Sequence, residues 1–392
     1  MLFVGIDVAK DKHDCCIIDS DNNVLSNSLR IDNSRNGFNQ LVNAIYSFLP
    51  SKDFSNVKIG LESTGHYSIN ITNYLFSQGF QVITLNPLAT NLFRKAHTLR
   101  KTKTDKTDAL VIASMLFTDD SKSYSPVSYQ ISELKSLTRH RYRLIGYRSR
   151  LKVSISRLIE IIFPEYPSLV WSIHQASSYA LLSELPSPHS ISSCHLTKLT
   201  NILKTASLGK YGREKALSIK EAASNSIGSA NRSVCFELQQ TIRLAQSVET
   251  EIKALDAQIK LVMTELNSPI MSIPGISFTL GAIILSEIGN INFFTTPAKL
   301  LAFAGMEPST YQSGKYNASK TPMVKRGSTY LRWAVMQAVR LVAMRDPTFK
   351  TYLTKKRSEG KHYFVAVSHT GKKLLRVIYY LLKNNSSFIP QM

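Results

Sequence analysis

Apolar and polar positions alternate from the first residues, and "LFVGIDVAKDKHDCCIID" reads as a buried strand that turns at its lysines into a second strand. "VLSNSLRI" predicts a third. "GFNQLVNAIYSFL" then changes to helical spacing, with Phe38, Leu41, Ile45 and Phe48 on one face. A strand "NVKIGLEST", a helix "YSINITNYLFSQG" ending on Gly79 and a strand "FQVITLNP" follow, and "KTDALVIASMLF" begins another helix. The order is β-β-β-α-β-α-β-α, and the segment ends near residue 125.

The pattern then changes period. Val234, Leu238, Thr241, Ala245, Val248, Ile252, Leu255, Ile259, Val262 and Leu266 step by four and three without a break, over four heptads of an a/d seam. An earlier stretch, about residues 128 to 163, carries a comparable seam at Leu134, Leu137, Leu144, Leu151, Ile155, Leu158 and Ile162. Two such helices predict a coiled coil, within one chain or between chains. Between them residues 165 to 230 are helical and Ser-rich, with no evident chemistry. From Ile270, "SIPGISFTLGAIILSEIG" predicts a helix, a Pro-Gly turn and a second helix, and the chain closes in basic, largely helical sequence. These shifts predict three domains: residues 1–125, 126–268 and 269–392.

Strand and helix order in the first domain is that of an RNase H-like α/β fold, followed by a helical coiled-coil middle and a mostly α-helical C-terminal domain. A chain of 392 residues with 43% hydrophobic content can fill such cores. Charge narrows the class of partner. There are 48 Lys and Arg against 27 Asp and Glu, a net charge of +21, and such a field favours polyanions. The excess is concentrated: Arg94 to Arg157 holds 15 cations and five acids, and Lys315 to Arg376 holds 15 and two. Two separate nucleic-acid-facing surfaces are expected. The four cysteines show no zinc or disulfide spacing. The N-terminal apolar run is too short for a signal peptide and no 18-residue apolar segment occurs, so a cytoplasmic, nucleoid-associated protein without membrane contact is expected.

Four acids stand out against this basic background. Asp7 lies in a core-like strand among Val4, Ile6 and Val8, and Glu62 ends another apolar strand; a carboxylate at such a position needs a partner. Asp105 and Asp108, three apart in "KTKTDKTDAL", project from one face at the start of a helix. In isolation that pair reads as charge complementing the helix dipole. Together the four can converge on Mg²⁺ or Mn²⁺, which take hard oxygen ligands, and two such ions can clamp the attacking and leaving oxygens of a phosphodiester exchange. Lys101, Lys103 and Lys106 would then hold the nucleic-acid backbone around them. Asp11, Asp14 and Asp19 fall in a turn and second strand, where solvated acids are ordinary. Arg139, Arg141, Arg143, Arg148 and Arg150 form a further basic face with no acid between them in sequence, and no acid is expected to pair them.

"GIDVAK", "LESTGHY" and "KTDKTDA" resemble the three N-terminal signatures of the insertion-sequence 110 transposase family, whose RuvC-like domain bears a DEDD tetrad; the matching positions are Asp7, Glu62, Asp105 and Asp108. The stretch from "SIPGISF" through "KRGSTYLRWAV" resembles that family's second domain, so the likeness covers roughly residues 1 to 115 and 270 to 345. "PGIS" for the commoner "PGIG" and "KRGSTYLR" for "K.GN..LR" are departures that touch no acid. The resemblance implies a DNA recombinase that excises and inserts a mobile element. It implies guidance by a structured noncoding (bridge) RNA that pairs with donor and target DNA, and a homo-oligomer, a dimer forming a tetramer on DNA. It also implies a serine nucleophile making a covalent serine–DNA intermediate, which falls on Ser313 of "YQSG". Gly314 there would let a backbone phosphate approach, with Lys315, Lys320, Lys325 and Arg326 close by to meet its charge. Ser309 is the alternative, and Ser319 a more distant one.

Two rival readings remain at this level. A RuvC-like Holliday-junction nuclease would use the same acids but leave the 120 residues after Ile270 unexplained. A non-catalytic nucleic-acid scaffold would not need four acids in two apolar strands and one helix face. A tyrosine recombinase lacks a convincing Arg-His-Arg set.

Overall fold

The computed structural model describes residues 1–49, 53–62, 66–85, 87–97, 105–118, 129–229, 231–309, 312–313, 316–317 and 321–390. The chain divides into two compact units, residues 1–126 and 127–392.

The first unit is built on a sheet of β1 (Leu2–Val8), β2 (Lys12–Ile18), β3 (Val24–Asp32), β4 (Val57–Glu62) and β5 (Gln81–Leu85), in the spatial order β3-β2-β1-β4-β5. The first three strands run antiparallel, while β4 pairs parallel to β1 and β5 parallel to β4. Parallel pairing requires crossovers, and the helices α1 (Arg35–Ser47) and α2 (Ser68–Ser77) supply them. Ser34 caps α1 by accepting the Gly37 N–H, and Phe38, Leu41 and Ile45 lie on its buried stripe as their spacing predicts, joined by Val42; Phe48, expected on the same face, is the C-terminal cap and is exposed. Two more helices, α3 (Pro87–His97) and α4 (Asp105–Thr118), complete the unit. Sequence spacing predicts α4 but not α3, whose first residue, Pro87, ends the last strand expected from the pattern.

Strand periodicity decides where the acids point. In β1, Leu2, Val4, Ile6 and Val8 join the core formed with α1 and α2, as do Val57, Ile59 and Leu61 of β4. Phe3 instead packs with Ile112, Ala113 and Leu116 of α4 on the opposite face. With a period of two, Gly5 and Asp7 share the face of Phe3, and Gly60 and Glu62 share it on β4. Gly5 is needed there: a Cβ would lie 2.1 Å from the Ala109 carbonyl oxygen of α4. Its absence lets helix backbone rest directly on the strand.

The second unit is helical. It contains α5 (Tyr129–Ile162), α6 (Tyr166–Leu169), α7 (Ala176–Glu184), α8 (Pro188–Ser193), α9 (Leu196–Ala206), α10 (Arg213–Ser224), α11 (Arg232–Leu266), α12 (Phe278–Ile288), α13 (Pro297–Phe303), α14 (Thr329–Arg345), α15 (Pro347–Ser358) and α16 (Tyr363–Asn384). A short ribbon, β6 (Gln312–Ser313) with β7 (Tyr316–Asn317), precedes α14. The two seam helices pack on each other within this one chain. Arg141 pairs with Asp256, Arg148 with Glu249 and Arg157 with Glu237, so partners descend along α11 as they ascend along α5 and the pair is antiparallel. One end of the pair joins a core with α12 and α14 through Leu134, Ile259 and Val262. The other end, through Ile155, Leu158 and Leu238, joins a separate core with α6 to α10. Among the described residues no helix is long and apolar enough to cross a membrane.

Candidate active site

Asp7, Glu62 and Asp108 line a single cavity of about 200 Å³ in the first unit. Register explains the first two. Ile6 pairs with Leu61 across the parallel β1–β4 ladder, so the next residues on each strand, Asp7 and Glu62, stand side by side at the strand ends. Both face α4, which brings Asp108 from its first turns. Pro87, Thr90, Asn91 and Arg94 of α3, with Val111 and Ile112 of α4, complete the lining. Each of the three carboxylates is half-buried.

Arg94 is the residue the sequence reading missed. Its guanidinium bonds the Asp108 carboxylate at 2.9 Å and the Asn91 side-chain oxygen at 3.1 Å. Thr90, Asn91 and Arg94 share one face of α3 through i+3 and i+4 spacing. Their signal in sequence was present but faint: a proline at a first helical position, followed by a polar face turned toward the acids.

Asp105 is the first residue of α4, and its side chain lies outside the described residues, as do Lys101, Lys103 and the side chain of Lys106. Among the described residues no three His, Cys, Asp or Glu side chains group closely enough to hold a metal ion. The donor chemistry nonetheless suits a hard divalent cation, since among the described residues the lining offers carboxylates and no thiol or imidazole. Asp14, set aside on sequence as a solvated acid, is buried directly across the β1–β2 ladder from Asp7, where Arg30 of β3 donates to both its carboxylate oxygens at 3.2 Å.

The basic face of α5 differs from the expectation. Arg139 bonds both oxygens of Glu287 at 2.8 and 3.2 Å, Arg141 bonds Asp256 at 2.6 and 3.0 Å, and Arg148 reaches Glu249 at 2.7 Å. The expectation that no acid pairs these arginines is therefore corrected for three of the five. Their partners come from α11 and α12, more than 100 residues later, and a helix read alone cannot show them. Arg143 and Arg150 are exposed and have no carboxylate partner among the described residues, Arg150 lying 4.9 Å from the Tyr147 ring. Glu287 is 3% exposed and also accepts a bond from Ser328 at 2.8 Å. Burial would raise its carboxyl, but the Arg139 and Ser328 bonds and the charges of Arg139 and Lys135 outweigh that and hold it below the usual range.

Ser313 ends β6, paired with Tyr316 across the ribbon, and Gly314 and Lys315 lie outside the described residues. The Ser313 side chain, Ser319 and Lys320 also lie outside them. Ser309 is held lower down, where its N–H donates to the Pro322 carbonyl at 2.8 Å. Lys325, with φ of 59°, and Arg326 are exposed in the irregular segment that leads into α14.

Residues 4–164 match a family described as transposase, of DEDD and IS110 type, and residues 267–354 match the transposase IS116/IS110/IS902 family. The 44.8 kDa protein of insertion element IS116 from Streptomyces clavuligerus is 23% identical over 99% of this chain and 96% of its own length. The 42 kDa protein of insertion element IS900 from Mycobacterium paratuberculosis is 23% identical over 99% and 97%. The pilin gene-inverting protein of Moraxella bovis is 23% identical over 98% of this chain and 97% of its own. Both halves match in order, and relatives align along essentially the whole length; the chain belongs to the insertion-sequence 110 family of transposases.

Proposed function

We propose that this transposase exchanges DNA strands at a divalent-metal site formed by Asp7, Glu62, Asp105 and Asp108, with Ser313 as the nucleophile. The convergence of Asp7, Glu62 and Asp108, from two strands and a helix, on one cavity carries the reading. A bound Mg²⁺ or Mn²⁺ would supply Lewis-acid stabilisation of charge on a phosphodiester. The chain's own residues do the rest. The sheet fixes Asp7 and Glu62 at adjacent strand ends, α4 delivers Asp108, and Arg94 holds Asp108 in place while adding a cation to the cavity wall. In the exchange, the Ser313 oxygen bonds to phosphorus as the P–O bond to the DNA breaks, and its proton passes to the DNA oxygen, which leaves as a hydroxyl; a hydroxyl of the second strand then attacks the phosphoserine, breaking its P–O bond and returning a proton to Ser313.

A noncoding guide RNA, donor and target duplex DNA and further copies of this chain are the partners of this reading, supported by the resemblance and by the +21 charge. Exposed Arg143, Arg150, Lys325 and Arg326 are its best-placed phosphate contacts, while Arg139, Arg141 and Arg148 would act chiefly as helix-to-helix ties. Catalysis is assigned to residues 1–125 and 269–392, with the middle helices joining them in the chain.

Alanine at each of the four acids tests the reading. Strand exchange should be abolished while folding and nucleic-acid binding persist; two variants that recombine at the wild-type rate would sink the tetrad. Trapping the protein–DNA adduct on a denaturing gel tests the nucleophile, since an adduct that survives Ser313→Ala would move the role to Ser309.

A further inference from the structure

Residues 165–266 lie outside both segments matched by the transposase families. Helices α6 to α10 within them pack with the adjoining ends of α5 and α11 around one core, which includes Tyr166, Leu181, Leu199 and Ile219. On the surface of this helical body Trp171 is 94% exposed, one of only two tryptophans in the chain. An indole in water forfeits a large burial term, and tryptophan on a surface marks recognition more often than any aliphatic residue does.

Its surroundings are built. The Trp171 N–H donates to the Tyr211 hydroxyl at 3.3 Å, and the Gln175 amide donates to the same oxygen at 3.0 Å. The Tyr211 N–H in turn donates to Ser207 Oγ at 2.9 Å. Lys215 sits 5.9 Å from the centre of the Tyr211 ring and is anchored on the Leu169 carbonyl at 2.9 Å. Trp171 and Tyr211 both line a groove of about 510 Å³. Lys210 and Tyr211 continue into a second groove of about 680 Å³ that adds Arg213. From Tyr166 to Arg213 the only acid is Glu184, and Lys198 neutralises it at 2.6 Å. Among the described residues Glu214 is the one carboxylate in either groove.

We propose that this surface binds an unpaired strand of nucleic acid, with one base stacked on Trp171 and flanking phosphates on Lys210 and Arg213. A duplex offers base edges in its grooves while its base faces are covered by their neighbours, so a free indole face selects an unpaired base. The Trp171 groove is lined by Ser, Gln, His, Ala, Lys and aromatic residues with no branched aliphatic side chain, which gives an apolar peptide helix nothing to interlock with. Fixing the ring of Tyr211 and the backbone of Trp171 beforehand lowers the ordering cost of binding. The choice of ligand rests on the reading of the chain as a nucleic-acid enzyme. The test measures binding alone, so loss of the carboxylate chemistry would leave it standing.

The experiment uses the intact protein with labelled oligouridine and oligodeoxythymidine of about 12 nucleotides, within the usual footprint of such sites, and a duplex of equal length. Base stacking should quench tryptophan emission on saturation, and Trp171→Phe should abolish that quenching, leaving the Trp333 signal. Trp171→Ala should weaken single-strand affinity by about five- to a hundred-fold, with duplex affinity unchanged, and Trp171→Phe should restore most of it. Arg213→Ala should weaken the same strands and reduce the salt dependence. Because Trp171 is almost wholly exposed, the melting temperature should not move. A loss confined to oligouridine assigns the surface to RNA, and a loss with both sugars to either strand; each supports the site. Wild-type protein that binds neither strand, unchanged affinity in Trp171→Ala, or a parallel loss of duplex binding would overturn it.

Discussion

Gly5→Ala adds one methyl group to β1 and tests the link between packing and chemistry. The new Cβ would stand 2.1 Å from the Ala109 carbonyl oxygen and 2.4 Å from the Ala113 nitrogen. Both are backbone atoms of α4, so no side chain can rotate away to make room. Ordinary contact begins near 3.4 Å, and α4 must retreat by roughly an ångström. Overpacking of this kind costs about 1–3 kcal/mol of stability. The helix that moves carries Asp108, the residue preceding Ala109, away from Asp7 and Glu62. A displacement of that size at a reacting centre costs on the order of a hundredfold in rate. Gly60→Ala is the matched control on β4, because its Cβ would meet Leu116 side-chain atoms at 2.8 Å, and that side chain can shift. Chemical denaturation gives the stability of each variant, and recombination of donor and target plasmids gives the rate. Gly5→Ala should lose far more activity than Gly60→Ala at comparable residual fold. A Gly5→Ala protein that unfolds with the wild type and recombines at its rate would refute the seating of α4 on β1.

Three further outcomes follow from particular contacts. Arg94→Gln removes the guanidinium 2.9 Å from Asp108, and the Mn²⁺ concentration giving half of the metal-induced rise in melting temperature should fall by a factor on the order of ten; an unchanged midpoint would separate Arg94 from the metal site. Glu287→Ala strands Arg139 and Ser328, which should cost about 3 kcal/mol in urea denaturation, at the lower end for a broken buried pair because Arg139 reaches water; a loss under about 1 kcal/mol would contradict the network. His13 is fully buried and burial holds its imidazole below the usual value of 6.5, so its contribution to stability is present above that pH and is lost as pH falls through the lower folded value. Melting temperature should therefore drop on acidification below about pH 6.5, and more shallowly in His13→Leu; equal slopes would exclude His13 as the source.

Much of the first unit was legible because its information is local. Alternation in "LFVGIDVAK" and "VKIGLEST" placed Asp7 and Glu62 on strands where a carboxylate is out of place, and both line the cavity. The same alternation, read against the two cores, fixes the face they share. Helical spacing in "GFNQLVNAIYSFL" gave three of the buried residues of α1, Phe38, Leu41 and Ile45, though not the exposure of Phe48, and heptad spacing gave the length of α5 and α11. What sequence could not supply was partnership across long separations. Arg94 reads as one cation in a basic stretch until α3 folds beside α4 and sets it on Asp108. Arg139, Arg141 and Arg148 read as one free basic face until Glu287, Asp256 and Glu249 arrive from helices more than 100 residues away. Whether the seams met within the chain was likewise open until their ion pairs ran antiparallel. Period and residue type determine which face a side chain takes, because those follow from the geometry of one element; what that face meets depends on how distant elements pack, and only the tertiary structure decided it.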